Sequence, residues 1–578
     1  MNHFDRSFPS PSPFRRLVLA AWTCAALALA PFPNGILGQG LAPAAETASA
    51  TQADWPQWGG SSARNSVATT AADLPIEWNV GDFDRKTGRW LNKNAKHIVW
   101  AARLGSESYG SPVVVGDRVF CATNNGAGYL SRRPASHDLG CLLCFDRQQG
   151  SFLWQFSAEK LAAGRNVDWP KQGICSTPVV EGDRLWIVSN RGEVVCLDAR
   201  RKGGPPHAAP SQPGSSSGTG EATTLWSFDM MRQLGTVQRY MASCSPTLAG
   251  DLLLVNTSNG CDPSGKMPAP KAPSFIALDK RSGKLVWADN SPGSNVLDGQ
   301  WGSPAFGVLG GVPQAIFPGG DGWLYSFEAR PTDHGKPKLL WKFDCNAKES
   351  RWEVGGTGNR NTLISTPVIH NGRVYIATGQ DPESGEGAGD LWCIDPTRRG
   401  DASAQLVVDR QDKPVAPRRV CAVDKAAGER VVANPRSAVV WHYGGTTESS
   451  GGNAPGGDSN GDDQAKKMHR SLGMPVIQGN LLVIGDFAGI VHCLDAKTGK
   501  SLWTHDMMAA IWGSPLVADG RVYLGNQDGD VTVFALDRTL KVLAKNAMGS
   551  PVYGTPTACG DVLYVGTSTY VFAIRKAK

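Results

Sequence analysis

Asp495-Ala496-Lys497-Thr498-Gly499-Lys500-Ser501-Leu502-Trp503 decides how this chain is read: an acid, a turn ending in glycine, three residues, then a tryptophan. The same order runs from Asp146 to Trp154 and from Asp279 to Trp287, and looser copies end at Trp226, Trp341 and Trp441. Each tryptophan falls in a short strand pattern that precedes the next small residue and proline. His97-Ile98-Val99-Trp100 comes before the first full unit, whereas the last unit, ending Phe572-Ala573-Ile574-Arg575, stops before a tryptophan of its own. An N-terminal strand carrying Trp100 therefore completes the C-terminal unit and closes a ring of repeats. The expected fold is an all-β propeller of four-stranded antiparallel blades.

The prolines that open the units are Pro112, Pro178, Pro246, Pro304, Pro367, Pro475, Pro515 and Pro556, so eight blades are expected. Pro475 to Pro515 and Pro515 to Pro556 span 40 and 41 residues, room for four short strands. Longer intervals mark insertions at about 201–222 and 397–470. In the seventh unit Asp519-Gly520 and Asp528-Gly529 separate alternating apolar runs, the turn chemistry of hairpins that need positive φ. Ala544 takes the tryptophan's place there. A large planar side chain on an outer strand can pack between blades and cover the neighbouring turn. Trp100, Trp154, Trp226, Trp287, Trp341, Trp441 and Trp503 are accordingly read as docking residues and not as a ligand platform.

Composition agrees: 68 Gly and 38 Pro in 578 residues suit many short strands and tight turns. A formal charge of +6 is small for this length and the basic residues are scattered, which argues against nucleic acid. Arg15-Arg16, an apolar run from Leu17 to about Phe32 and Ala48-Ser49-Ala50 make residues 1–50 a signal peptide, with a cut near Ala30 as the alternative. Cys24 follows Trp22-Thr23, without the small residues of a lipoprotein signal. The mature chain is expected to be exported, periplasmic or extracytoplasmic, and soluble, since no later stretch is long and apolar enough to span a bilayer. Residues 51–96 would lead into a ring built from 97–578.

Cys144, Cys196, Cys393 and Cys493 stand two residues before the acid that ends a third strand, where other units hold Ala277, Ser326, Ala535 and Ala573. The position wants a small buried side chain, and cysteine serves as one. Cys175 and Cys244 precede the first strands of adjacent blades and are the best-placed disulfide pair. Cys141-Leu142-Leu143-Cys144 lacks the following histidine of a c-type haem site, and residues three apart on a strand face opposite ways. Asp458, Asn460 and Asp462 have the spacing that opens a calcium loop, but Asp463 replaces its turn glycine and His469 its closing glutamate. No zinc spacing and no nucleophile elbow occurs.

Loops entering each first strand should border the central channel. They supply Glu107 and Tyr109, then Gln172, then Arg239 and Tyr240, then Asp298, Gln300 and Trp301. Later blades add Arg360 and Asn361, His469 and Arg470, Trp512 and Tyr553. This mixture of charge and aromatic surface suits an anionic or sugar-like small molecule; the alternative is a water-filled channel mouth.

The Asp495–Trp503 unit and its copies resemble the pyrroloquinoline-quinone-type propeller repeat over roughly residues 97–578. Two groups share that eight-bladed ring: quinoprotein alcohol dehydrogenases, and the outer-membrane barrel-assembly lipoprotein BamB with its relatives. Resemblance to the dehydrogenases implies pyrroloquinoline quinone and calcium, an adjacent cysteine pair over the quinone, and a Glu, an Asn and an Asp around the metal. No Cys-Cys occurs here; by position Glu107, Asn361 and Asp298 are the stand-ins, with calcium as Lewis acid and Asp298 as base. Resemblance to BamB implies a rigid ring that presents loops and strand edges to partners. The expected function is a non-catalytic, exported binding or scaffold module without cofactor, a monomeric ring whose partner is a protein or polysaccharide of the envelope. A quinone-dependent alcohol or sugar dehydrogenase is the alternative.

Overall fold

Alternating side chains and glycine turns produce eight antiparallel four-stranded blades in the computed structural model, which describes residues 54–200, 220–331, 335–444 and 467–577. The segment read as a leader and the calcium candidates Asp458, Asn460 and Asp462 lie outside these residues. Blade 1 pairs Val113–Val115, Arg118–Asn124, Leu139–Asp146 and Phe152–Glu159 in that order, and the later blades follow suit. In blade 8 the outer strand is Ile98–Arg103, paired with Tyr570–Ile574 so that Trp100 faces Ala573. The ring is closed by the N-terminal strand, as the missing last tryptophan implies.

The acid–glycine–tryptophan unit is a relay between blades. Asp495 Oδ1 accepts the N–H groups of Lys497 and Thr498, which turns the chain and brings Gly499 to φ 70°. The indole of Trp441 in the preceding blade lies on that glycine, where a Cβ would sit 2.6 Å from the ring. Trp100 covers Gly150 and Trp226 covers Gly283 in the same way. The indole N–H then docks on a carbonyl of the next blade: Trp100 on Arg147, Trp287 on Ala329, Trp441 on Ala496 and Trp503 on Asp537. Trp341 donates to Gln314, whose amide reaches Pro396. For Trp154 and Trp226 the equivalent carbonyls are taken, Ala199 by Arg118 and Lys280 by Trp186, and both indole N–H groups lack an acceptor.

Opposite each tryptophan the third strand carries a small residue. Cys144 pairs with Trp154, Cys196 with Trp226, Cys393 with Trp441 and Cys493 with Trp503. Ala277, Ser326 and Ala573 face Trp287, Trp341 and Trp100. The seventh blade corrects the alignment: its third strand ends at Ala535, and Val533 is the residue opposite Ala544. With no indole to accommodate, that position tolerates a branched side chain. All twelve described cysteines are free, so Cys175 and Cys244 are not joined.

The apolar cores lie between blades, as where Phe120, Leu142 and Trp154 meet Leu185, Ile187 and Val195. At the hub, the residue before each opening proline, a Ser or Thr in seven blades and Met474 in the sixth, links neighbours together. The N–H of Ser111 donates to Thr177 Oγ1, Thr177 to Ser245, Ser245 to Ser303, and Ser303 to Thr366. Met474 donates to Ser514, Ser514 to Thr555, and Thr555 back to Ser111. The circle breaks only where Met474 has no oxygen to offer Thr366.

Residues 54–72 run once around the inside of the ring. Trp55 pairs with Val114 of blade 1, Pro56 O accepts from Val180 of blade 2, and Ser62 bonds Leu248 and Phe306 of blades 3 and 4. Ala63 then meets Ile369, Asn65 meets Ile477 and Ser66 meets Val517, before Ala72 reaches Gly560 in blade 8. From Val114 to Val517 every contacted residue is the second after its blade's opening proline. Arg64 locks the turn from a wholly buried position: Nε donates to Pro304 O, Nη1 to Trp58 O, and Nη2 to Ser245 O and Pro246 O. Gly59 beside it has φ 74°, and a Cβ there would lie 2.7 Å from the Arg64 backbone.

Candidate functional site

The loops that enter the first strands enclose a central cavity of about 320 Å³. Its lining has a simple register. The residue before the opening proline contributes a hydroxyl layer: Ser111, Thr177, Ser245, Ser303, Thr366 and Thr555. The third residue before the proline contributes a second layer in all eight blades: Tyr109, Cys175, Ser243 and Trp301, then Ile364, Leu472, Trp512 and Tyr553. Longer loops add Gln172, Trp169, Tyr240, Asp381 and Glu383, and Trp58 comes from the N-terminal segment, its indole N–H held by Thr555 Oγ1 at 3.0 Å.

The aromatic rings form two groups. Tyr109 stacks on Tyr553 at 5.0 Å between centroids, and Trp512 packs on both, so blades 7, 8 and 1 supply one wall. Trp169, Tyr240 and Trp301 from the approaches to blades 2, 3 and 4 supply another, at 5.3 and 6.3 Å. Blade 5 brings the acids, on the short turn Pro382–Ser384 that Asp381 caps. Burial, with the charges of Asp298 and Glu383 behind it, pushes the Asp381 carboxyl up to about 6.

Of the residues read from the sequence as bordering the channel, Tyr109, Gln172, Tyr240, Trp301, Trp512 and Tyr553 line this cavity together. Arg239 and Asp298 lie beside it, on an adjoining cavity of about 230 Å³, joined by a 2.8 Å ion pair. Burial raises the Asp298 carboxyl while Arg239 opposes the shift. Glu107 is half-buried and bonded to Tyr109; desolvation raises it. The others serve the scaffold. Gln300 is buried and donates to Asn259 O and Ser274 Oγ. Arg360 is buried against Asp344. Asn361 is fully buried and accepts from Arg470 Nε, while Arg470 spends its remaining donors on Ser384, Gly385, Gly356 and Gly358 carbonyls. His469 and His492 both bond the buried Asp486. Glu107, Asn361 and Asp298, the metal stand-ins, therefore line no common cavity, and no group of three His, Cys, Asp or Glu able to hold a metal occurs among the described residues.

Sequence reading missed Trp58, Trp169, Asp381 and Glu383. A usable signal was present for the inner layer, the residue three before each blade-opening proline. Nothing comparable marks Trp58 or the acids, because neither precedes a blade.

Eight blades, seven of them carrying a docking tryptophan, closed by the N-terminal strand around a central cavity, define a propeller of the pyrroloquinoline-quinone-repeat type. The chain belongs to the family described as outer membrane protein assembly factor BamB, whose model matches residues 139–434 and 418–577. It is 25% identical to the BamB of Xanthomonas campestris pv. campestris over 236 residues, 39% of this chain and 47% of that protein. It is 23% identical to the lanthanide-dependent methanol dehydrogenase of Methylacidiphilum fumariolicum over 264 residues, 41% of this chain and 40% of that enzyme. The chain thus spans less than half the length of these curated relatives. BamB from Moraxella catarrhalis superposes with a TM-score of 0.45 at 15% identity, covering 83% of this chain and 99% of that one.

Proposed function

We propose that this protein is an exported, non-catalytic binding propeller of the cell envelope that captures an extended segment of a partner protein on its outer blade edges. The observation that carries the reading is that the chain already adds segments to those edges. Gly400–Asp401 lies parallel to the outer strand of blade 4, and Glu221 bridges Gln155 of blade 1 in the same sense. Outer strands of other blades present apolar side chains to solvent, among them Leu285 of blade 3 and Leu543 of blade 7, 41 and 38% exposed. An extended peptide adding to such an edge gains main-chain hydrogen bonds and buries these side chains. BamB relatives make a protein partner the first choice, and a polysaccharide the second. No described helix is long and apolar enough to cross a membrane.

The dehydrogenase reading is less well supported. Pyrroloquinoline quinone is a flat tricarboxylate, and the cavity walls hold two carboxylates and no Lys, Arg or His. Arg239, on the adjoining cavity, is already paired with Asp298. This donor set does not fit that cofactor.

Two experiments test the proposal. Titration of the purified protein with pyrroloquinoline quinone and calcium, read by absorbance and thermal shift and then by dye reduction with alcohols and sugars, should give neither binding nor turnover. A photocrosslinker at position 285 or 543 should trap an envelope protein. Tight quinone binding with turnover, or crosslinks to no protein at either position, overturns the reading.

A further inference from the structure

We propose that the central cavity is a binding site for a small organic cation, a protonated amine or a quaternary ammonium group. The argument starts from charge. Two carboxylates, Asp381 and Glu383, enter the cavity and no cationic side chain is among its lining residues, so the charged groups on its walls are negative; Arg239 acts on Asp381 from the adjoining cavity, where it is paired with Asp298. Most of the remaining polar and ring surface is aromatic or hydroxylic, beside the apolar Cys175, Met241, Ile364 and Leu472 and the Gln172 amide; the faces of aromatic rings attract cations, and hydroxyl oxygens accept hydrogen bonds. In the hydroxyl layer the oxygens already accept backbone N–H groups at seven of the eight joints, so the layer is held in place before any ligand arrives.

The walls already show this preference within the chain. Arg239 places its guanidinium carbon 3.9 Å from the centroid of Tyr240, and Arg165 places its own 4.5 Å from Trp169. The other wall, Tyr109, Tyr553 and Trp512, has rings packed on one another and no cation of the protein on any of them among the described residues. A volume of about 320 Å³ accepts a trimethylammonium head with a short chain attached. A neutral sugar would use the rings but gain nothing from the acids, and an anion would be repelled by them. The inference concerns the hub and does not depend on capture of a partner at the blade edges.

Choline and its uncharged carbon isostere, 3,3-dimethylbutan-1-ol, are the discriminating probes, titrated by calorimetry and tryptophan fluorescence into the full chain. Choline should bind at least about tenfold more tightly than the alcohol, the preference expected of a desolvated aromatic site for a cation. Glu383→Gln, at an exposed position where the backbone N–H and not the side chain bonds Asp381, and the double variant with Asp381→Asn should each weaken choline and leave the alcohol unchanged. Asparagine retains the side-chain oxygen that caps the turn, and an unchanged thermal midpoint verifies the fold. Trp512→Ala should weaken both probes. Equal affinity for the two probes, absence of choline binding, or binding of glucose or N-acetylglucosamine in its place overturns the proposal.

Discussion

Trp100→Ala tests the ring closure most directly. Trp100 is 5% exposed, packs on Gly150 of blade 1 and near Tyr564 of its own blade, and its indole N–H donates to Arg147 O at 2.9 Å. Truncating a buried tryptophan costs about 3–5 kcal/mol, including the cavity left behind. For roughly 500 ordered residues the unfolding entropy is about 1 kcal/mol per kelvin, so Tm should fall by roughly 3–5 °C in calorimetry. Trp287→Ala, the same dock between blades 3 and 4, provides the scale for a joint with no chain terminus involved. Gly150→Ala adds the complementary arm: φ there is 68°, and the new Cβ would lie 2.5 Å from the Trp100 ring. Removing the indole removes that clash and leaves only the backbone cost of about 1–2 kcal/mol. The double variant should therefore be less destabilised than the sum of the singles, by about 1 kcal/mol or more. A Trp100→Ala protein that melts with the parent while Trp287→Ala falls, or strict additivity in the cycle, would refute the docking relay as the basis of closure.

Arg64→Ala strands the backbone carbonyls of Trp58, Ser245 and Pro246, while Pro304 O keeps Thr247 Oγ1, so a loss of roughly 3 kcal/mol is expected, with new protease cleavage within residues 54–72. An uncut segment would argue against the clamp. Against the upward push of burial, hydrogen bonds from His469 and His492 hold Asp486 down to about 2 from its ordinary 3.8. That depressed value stabilises the fold above about pH 4 by about 2 kcal/mol, lost as pH falls toward 2. Asp486→Asn should flatten this acid limb in pH-dependent unfolding, and an identical limb counts against the assignment. Asp381 behaves in the opposite sense: raised to about 6 by burial and by Asp298 and Glu383, with Arg239 opposing, it gains its charge between pH 5 and 7. Choline affinity should rise across that interval, and Asp381→Asn should remove the rise.

Blade number and closure could be read from the chain because each blade repeats the same local physics. In three blades a turn glycine at positive φ, an acid that caps the turn and a tryptophan on the outer strand occur within nine residues, and the looser copies keep the tryptophan. Even the small residue opposite the tryptophan follows from alternation, and the alignment failed only in blade 7, where Ala544 removes the marker. At the hub, the proline register told where loops enter the channel, and six of the residues read from it line one cavity. Arg360, Asn361 and Arg470 occupy equivalent loops, yet Asp344, Ser384 and several carbonyls draw them into the scaffold.

The sequence by itself determined the repeat, the strand order and the residue that closes the ring, because those depend on contacts within a blade or between neighbours at fixed spacing. Only the tertiary structure decided which polar groups reach the cavity, how residues 54–72 thread the hub, and that two acids face two aromatic walls. Those outcomes depend on loops from distant blades converging on one axis, where a side chain's partner is set by the closed ring and not by its neighbours along the chain.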